Sequence, residues 1–176
     1  RDMETFVAAA NQKGIEVDVQ IANDDLNEQK RQIQYLIDKR VQVLVILPKQ
    51  KDAYTELIEK ARRKGIHVIA YDRLILNADY DAYVSFDSVQ VGEQIAGRLV
   101  RQLELDGKRD AKLLIINGDP EDNNSKLFNR GFYNVLDLVD KDLKLNIVSE
   151  VWAYGWRESA AFDAVETMLN AGTVPD

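Results

Sequence analysis

The residues best suited to chemistry stand at the ends of apolar runs. Ile66-His67-Val68-Ile69-Ala70-Tyr71 reads as a strand that stops abruptly at Asp72-Arg73. In an open α/β sheet, ligands bind just beyond the carboxyl ends of the strands. There a carboxylate accepts hydrogen bonds and a guanidinium offers a fork of five donors, so the pair can grip a hydroxylated small molecule from both sides. The same two residues can equally close a strand-to-loop turn as a surface ion pair. A second group, Asp122-Asn123-Asn124, combines carboxylate and carboxamide groups that both accept from and donate to hydroxyls. Asp and Asn also cap helices routinely, so one of the three is expected to cap and at least one other to face a ligand. Trp152 and Trp156 lie near the end of a further strand. Trp152 fits ordinary core, whereas Trp156 follows Tyr154-Gly155 at a strand-to-helix junction, where its ring can cover the C–H face of a sugar. Taken together, the three strand ends favour a polar and aromatic small-molecule cleft.

Other chemistry is poorly served. The sequence has no G-x-S-x-G elbow and no phosphate-cradling glycine loop. Its single histidine, His67, falls inside a strand, where a structural role is expected. Without cysteine or a second histidine, a zinc site has little to stand on. Asp119, Glu121 and Asn123 alternate as calcium ligands do, but Asn124 and Arg130 replace the glycine and glutamate that an EF-hand loop needs. No nucleophile, base and oxyanion set can be assembled, so no catalytic residue and no cofactor are expected.

The elements that must position these residues are set by periodicity. Met3, Phe6, Val7 and Ala10 have the spacing of an amphipathic helix, which Gly14 caps. Val17, Val19 and Ile21 alternate with polar residues like a half-buried strand. Asp25-Leu26-Asn27-Glu28 fits a capping box and opens a helix with Leu26, Ile33, Leu36 and Ile37 on one face. Val41 to Leu47 is nearly continuous apolar sequence, the pattern of a strand covered on both faces, and Pro48 ends it. Tyr54, Leu57, Ile58 and Ala61 form a helical stripe closed by Gly65, ahead of the strand 66–71. Strands therefore recur roughly 25 residues apart, the βα alternation of a parallel sheet. Residues 74–81 read as a loop, 83–86 as a short strand, and Asp87 as the cap of a helix bearing Ile95, Ala96, Leu99, Val100 and Leu103. The charged run 104–112 reads as a crossover between lobes. Beyond it come a buried strand at 113–116, a helix with Leu127, Phe128, Val135, Leu136 and Val139, a strand at 145–153, and a last helix. The expected division is thus 1–107 for the first lobe and 108–176 for the first part of the second.

With 176 residues, 45% hydrophobic and 30% charged, the composition is that of a soluble globular protein, and no apolar run reaches membrane-spanning length. The net charge of −7 argues against a general nucleic-acid partner, since phosphate binding needs clustered Lys and Arg. The absence of cysteine is compatible with either side of a membrane. Arg1 already lies in a helical pattern, so further residues are expected upstream and targeting cannot be read.

Four segments carry a resemblance: Val43-Leu44-Val45-Ile46-Leu47-Pro48, Val68-Ile69-Ala70-Tyr71-Asp72-Arg73, Asp122-Asn123-Asn124-Ser125-Lys126-Leu127-Phe128 and Gly155-Trp156. Along essentially its whole length the chain resembles the xylose-binding branch of the sugar-binding type I periplasmic binding proteins. The resemblance implies a two-lobed α/β fold with parallel Rossmann-like sheets, hinged to close on a pentose. It places the sugar contacts on Asp72, Arg73, Asp122, Asn124 and Trp156. It also implies that the family's first strand and an arginine-bearing loop lie upstream of Arg1, and that later Asn, Asp and Lys contacts lie beyond Asp176. The fold is therefore expected to be incomplete at both ends. The implied partners are D-xylose and either a membrane ABC permease or the extracellular domain of a sensor histidine kinase. The implied location is extracytoplasmic, in the periplasm or as an anchored lipoprotein. The ligand core of a sugar-responsive transcription repressor is the competing reading, and an upstream signal peptide or helix-turn-helix would separate the two.

Overall fold

A computed structural model describes residues 2–139 and 143–176, so Arg1 lies outside them. Helix α1 (Asp2–Gln12) buries Ala10 and ends at Gly14, whose φ of +70° is the left-handed cap that glycine adopts without strain. The strand expected over 17–21 is absent: residues 15–22 join no sheet among the described residues. Side chains of the next helix and its C-cap tether this segment instead, with Gln32 Nε2 donating to the Ile21 carbonyl at 2.9 Å and Lys39 paired with Asp18 at 2.7 Å. Alternating polarity permits an extended chain, but a strand also needs a neighbouring backbone to bond.

Helix α2 (Leu26–Asp38) begins where the capping signal places it. Asp25 accepts from the backbone N–H groups of Asn27 and Glu28. Only half of the box forms, because Glu28 pairs with Arg31 and Gln32 instead of reaching back. Strands β1 (Val43–Ile46), β2 (His67–Tyr71) and β3 (Ala82–Val84) form a parallel sheet in that order, with α3 (Thr55–Arg63) between the first two. Ile33 and Ile37 of α2 and Ile58 and Ala61 of α3 close one core over Leu44, Ile46, Val68 and Ala70. Burial on both faces of β1, expected from its apolar run, is not found. Leu44 and Ile46 are buried while Val43 and Val45 are 46% and 40% exposed. Both covering helices lie on the same face, and an apolar run permits a second cover without supplying one.

Helix α4 (Ser88–Leu105) is capped by Asp87, which accepts from Gln90 N–H. Strands β4 (Asp110–Asn117) and β5 (Lys144–Trp152) form a second parallel sheet, with α5 (Asn123–Leu136) between them and α6 (Glu158–Asn170) after them. The ladder carries an irregularity between Leu113 and Leu114, which pair with Ile147 and Ser149. Leu99, Val100 and Leu103 of α4 pack with Ala111, Leu113, Leu143 and Leu145. Helices α4 and α5 meet at two glycines. A Cβ on Gly92 would overlap the Phe128 carbonyl, and one on Gly131 would overlap that of Val89. So α4 shares its core with the second sheet, and the chain passes between the two cores at 85–87. The crossing that composition suggests near Gly107 is therefore misplaced; there, charge and a left-handed glycine mark only the turn from α4 to β4.

Candidate functional site

The carboxyl ends of β1, β2 and β4 converge. Asp72, just past β2, has a left-handed backbone with φ of +63°. Its N–H donates to the Val84 carbonyl at 2.8 Å. Its carbonyl accepts from Tyr83 Oη and Ser85 Oγ, each at 3.0 Å, and from Asn124 Nδ2 at 3.1 Å. Non-glycine residues in this conformation are uncommon and persist where surroundings over-determine them. Burial pushes the Asp72 carboxyl above the usual range; nearby Arg73 opposes the shift, while Asp122 and Asp2 add to it.

Arg73 comes next, its N–H donating to the Tyr71 carbonyl at 2.7 Å. Its Nε lies 3.1 Å from Asp122 Oδ2. That N–H is nonetheless buried and without a hydrogen-bond partner among the described residues, so the contact is ionic and leaves one donor unsatisfied. Asp122 is the N-cap of α5, accepting through Oδ1 from Asn124 N–H at 2.9 Å. Its Oδ2 also accepts from Trp156 Nε1 at 3.1 Å. One nearly buried carboxylate therefore joins the arginine of the first sheet to the tryptophan of the second.

Trp156 sits in a short 3-10 turn (Tyr154–Trp156) after β5. Gly155 and Trp156 have φ of +67° and +55°. The turn is held by Gly155 N–H to Asp119 Oδ2 and by Trp156 N–H to the Ala153 carbonyl, both at 2.8 Å. Trp156 is 46% exposed, whereas Trp152 is partly buried in β5.

A cleft of about 390 Å³ lies between these groups. The β1–α3 loop 48–52, Arg73 and Leu74 form one wall, and Asp119, Glu121, Asp122, Asn123 and Trp156 the other. Of the five residues singled out from the sequence, Arg73, Asp122 and Trp156 face it. Asp72 stands behind Arg73 and contributes its carbonyl to the join between the halves. Asn124 is 5% exposed and its amide is engaged on both sides, Nδ2 with Asp72 and Oδ1 with Ser88 Oγ at 3.2 Å. The expectation that one residue of the acidic triplet would cap holds for Asp122, which also lines the cleft. Sequence reasoning misses Lys49, Lys51 and Glu121. Lys51 Nζ approaches Glu121 Oε2 across the cleft at 3.9 Å, and Lys49 pairs with Asp24. A signal for them exists, because Pro48 marks the carboxyl end of β1 and the strand-end rule applies there too. Among the described residues no group of His, Cys, Asp and Glu could hold a metal ion.

Two parallel sheets that turn their carboxyl ends toward one polar cleft with an aromatic wall define a two-lobed α/β binding protein. Residues 1–175 match the periplasmic binding protein domain, and the chain belongs to that family, with its type I fold. It is similar to the D-xylose-binding periplasmic proteins of Haemophilus influenzae and Escherichia coli, at 39% and 37% identity over 171 residues, 97% of this chain and 50% of each relative. Among solved structures it is similar to an ABC transporter solute binding protein from Clostridium phytofermentans with bound β-D-glucose. That match has a TM-score of 0.85 and 32% identity, covering 98% of this chain and 57% of the other. The chain spans about half the length of the curated relatives it matches.

Proposed function

We propose that this chain belongs to an extracytoplasmic receptor that binds D-xylose between its lobes without altering it. The observation that carries the reading is the Arg73–Asp122–Trp156 constellation on facing walls of one cleft. The partly exposed guanidinium of Arg73 can donate to one sugar hydroxyl while the Asp122 carboxylate accepts from another. The exposed face of Trp156 covers the C–H face of the ring. Asn124 and the Asp72 carboxyl complete the set, Asn124 by exchanging its bond to the Asp72 carbonyl for a sugar hydroxyl. Closure turns about the chain at 85–87, the passage between the two cores. The closed form is then read by a membrane partner: an ABC permease for uptake, or a sensor histidine kinase. The likeness to two D-xylose-binding proteins supports xylose over other sugars.

Calorimetric titration of the full-length protein with xylose, ribose, arabinose and glucose tests this. Xylose is expected to bind tightest. Equal or tighter binding of another sugar overturns the xylose assignment, and no binding of any overturns the receptor reading.

A further inference from the structure

The indole of Trp156 rests on Gly118, the first residue after β4. A Cβ built there would overlap ring atoms Cη2 and Cζ3, and would lie 2.5 Å from Ser125 Oγ. The ring cannot simply slide away. Its own backbone is in the left-handed region, the turn is pinned to Asp119 and Ala153, and its Nε1 is bonded to Asp122. Ser125, 1% exposed in the first turn of α5, closes on the same Cβ position. The same ring divides the cleft from a second hollow of about 540 Å³ beside β4, where Phe128 and Phe132 stand. Gly118 thus sits where an added methyl must move the aromatic wall.

We propose that Gly118 is a positioning residue that sets the height of the Trp156 ring and, through it, the width of the sugar cleft. Carbon atoms in ordinary contact are ~3.5–4.0 Å apart, so a methyl at 118 displaces the ring by at least about 1 Å. The displaced ring narrows the cleft and pulls Nε1 from Asp122 Oδ2, which frees that oxygen beside Arg73. The inference rests on the receptor reading for its effect on affinity, but the seat itself is independent of any ligand.

The test is a double-mutant cycle in the full-length protein, read by xylose calorimetry and thermal unfolding. Gly118→Ala is expected to weaken xylose binding by about tenfold or more in the wild-type background and by less than about twofold in a Trp156→Ala background, since the overlap with Ser125 Oγ is common to both backgrounds and the overlap with the ring is present only in the first. An equal loss in both backgrounds, or no loss in either, overturns the proposal. If Gly118→Ala alone fails to fold, the shorter ring of Trp156→Phe should restore folding in the pair; a pair that also fails overturns it. Acrylamide quenching without sugar, in a Trp152→Phe background, reads the seat directly. Gly118→Ala should make the remaining indole more accessible, and unchanged quenching counts against the seat. If the wild-type protein binds none of the sugars, the receptor reading falls while the quenching result still judges Gly118.

Discussion

The first sheet presents Arg73 from a turn in which the Asp72 N–H, the Asp72 carbonyl and the Arg73 N–H are all hydrogen-bonded, whereas the second presents Asp122 and Trp156 through side-chain bonds to caps and loops. The first core is built mainly from branched aliphatic side chains, with Ile37 and Val68 at 0% exposure, Ile58 at 1% and Leu44 at 2%. The second is smaller and gains its close packing from backbone contact of two helices at Gly92 and Gly131. The two walls should therefore fail differently. Damage to the first core costs stability and leaves the wall's shape intact until the domain unfolds. Damage to the second moves α5, and with it the cap that is also the cleft carboxylate.

Breaking the first side gives the largest expected effect. Ile37→Ala leaves a cavity among buried neighbours and should destabilise by about 3–4 kcal/mol in urea unfolding, with xylose affinity of the folded fraction unchanged. Gly131→Ala breaks the second side by overpacking, at about 2–3 kcal/mol. Unlike Ile37→Ala it should also weaken sugar binding, and calorimetry showing intact affinity would detach α5 from the site.

The walls can be compared directly at their contact groups. Trp156→Ala should weaken xylose binding by roughly 2 kcal/mol, as loss of a central aromatic anchor does, while Trp152→Ala mainly lowers the unfolding midpoint. Arg73→Lys should be nearly as damaging as Arg73→Ala, because an ammonium cannot reproduce a planar fork. Affinity of the lysine variant within about threefold of wild type, under ~0.7 kcal/mol, would reduce Arg73 to an ion pair.

Smaller changes sharpen the contrast. Ser125→Ala removes a buried hydroxyl that has no hydrogen-bond partner among the described residues. It should be neutral or stabilising by up to about 1 kcal/mol; a clear loss of stability would mean that the hydroxyl is bonded in solution. On the far end of the first sheet, Asp81 accepts from Val68 N–H and meets His67 and Arg62. Foremost that backbone bond, then His67 and Arg62, bring its pKa from 3.8 down to about 2. A lowered carboxyl pKa stabilises the fold above the unfolded value, and the contribution fades as pH falls from 3.8 toward 2. Asp81→Asn should therefore flatten acid unfolding in that window, and an unchanged pH profile would count against the bond.

Where local rules suffice, the sequence is legible. Asp25, Asp87 and Asp122 cap the helices they precede, and Gly14 and Gly65 end theirs in the left-handed conformation. Arg73, Asp122 and Trp156 stand just past the ends of strands, where the strand-end rule points to them. Lys51 and Glu121 lie past β1 and β4 and fall under the same rule. Yet a lysine and a glutamate are ordinary on any surface loop, and only their approach across the cleft distinguishes them.

Local pattern sufficed for the order of elements apart from the strand expected over 17–21, for the caps of α2, α4 and α5 and for three groups of the cleft, because period and capping are set within a few neighbouring residues. Tertiary structure alone decided the rest. It left one face of β1 open, put α4 on the second core, and turned Asn124 inward to a carbonyl 52 residues away. It also set Trp156 upon Gly118, a glycine whose local sequence carries no sign of the ring. Such contacts depend on where distant backbones come together. No spacing along the chain encodes that meeting, because many partners satisfy the same local pattern and only packing selects among them.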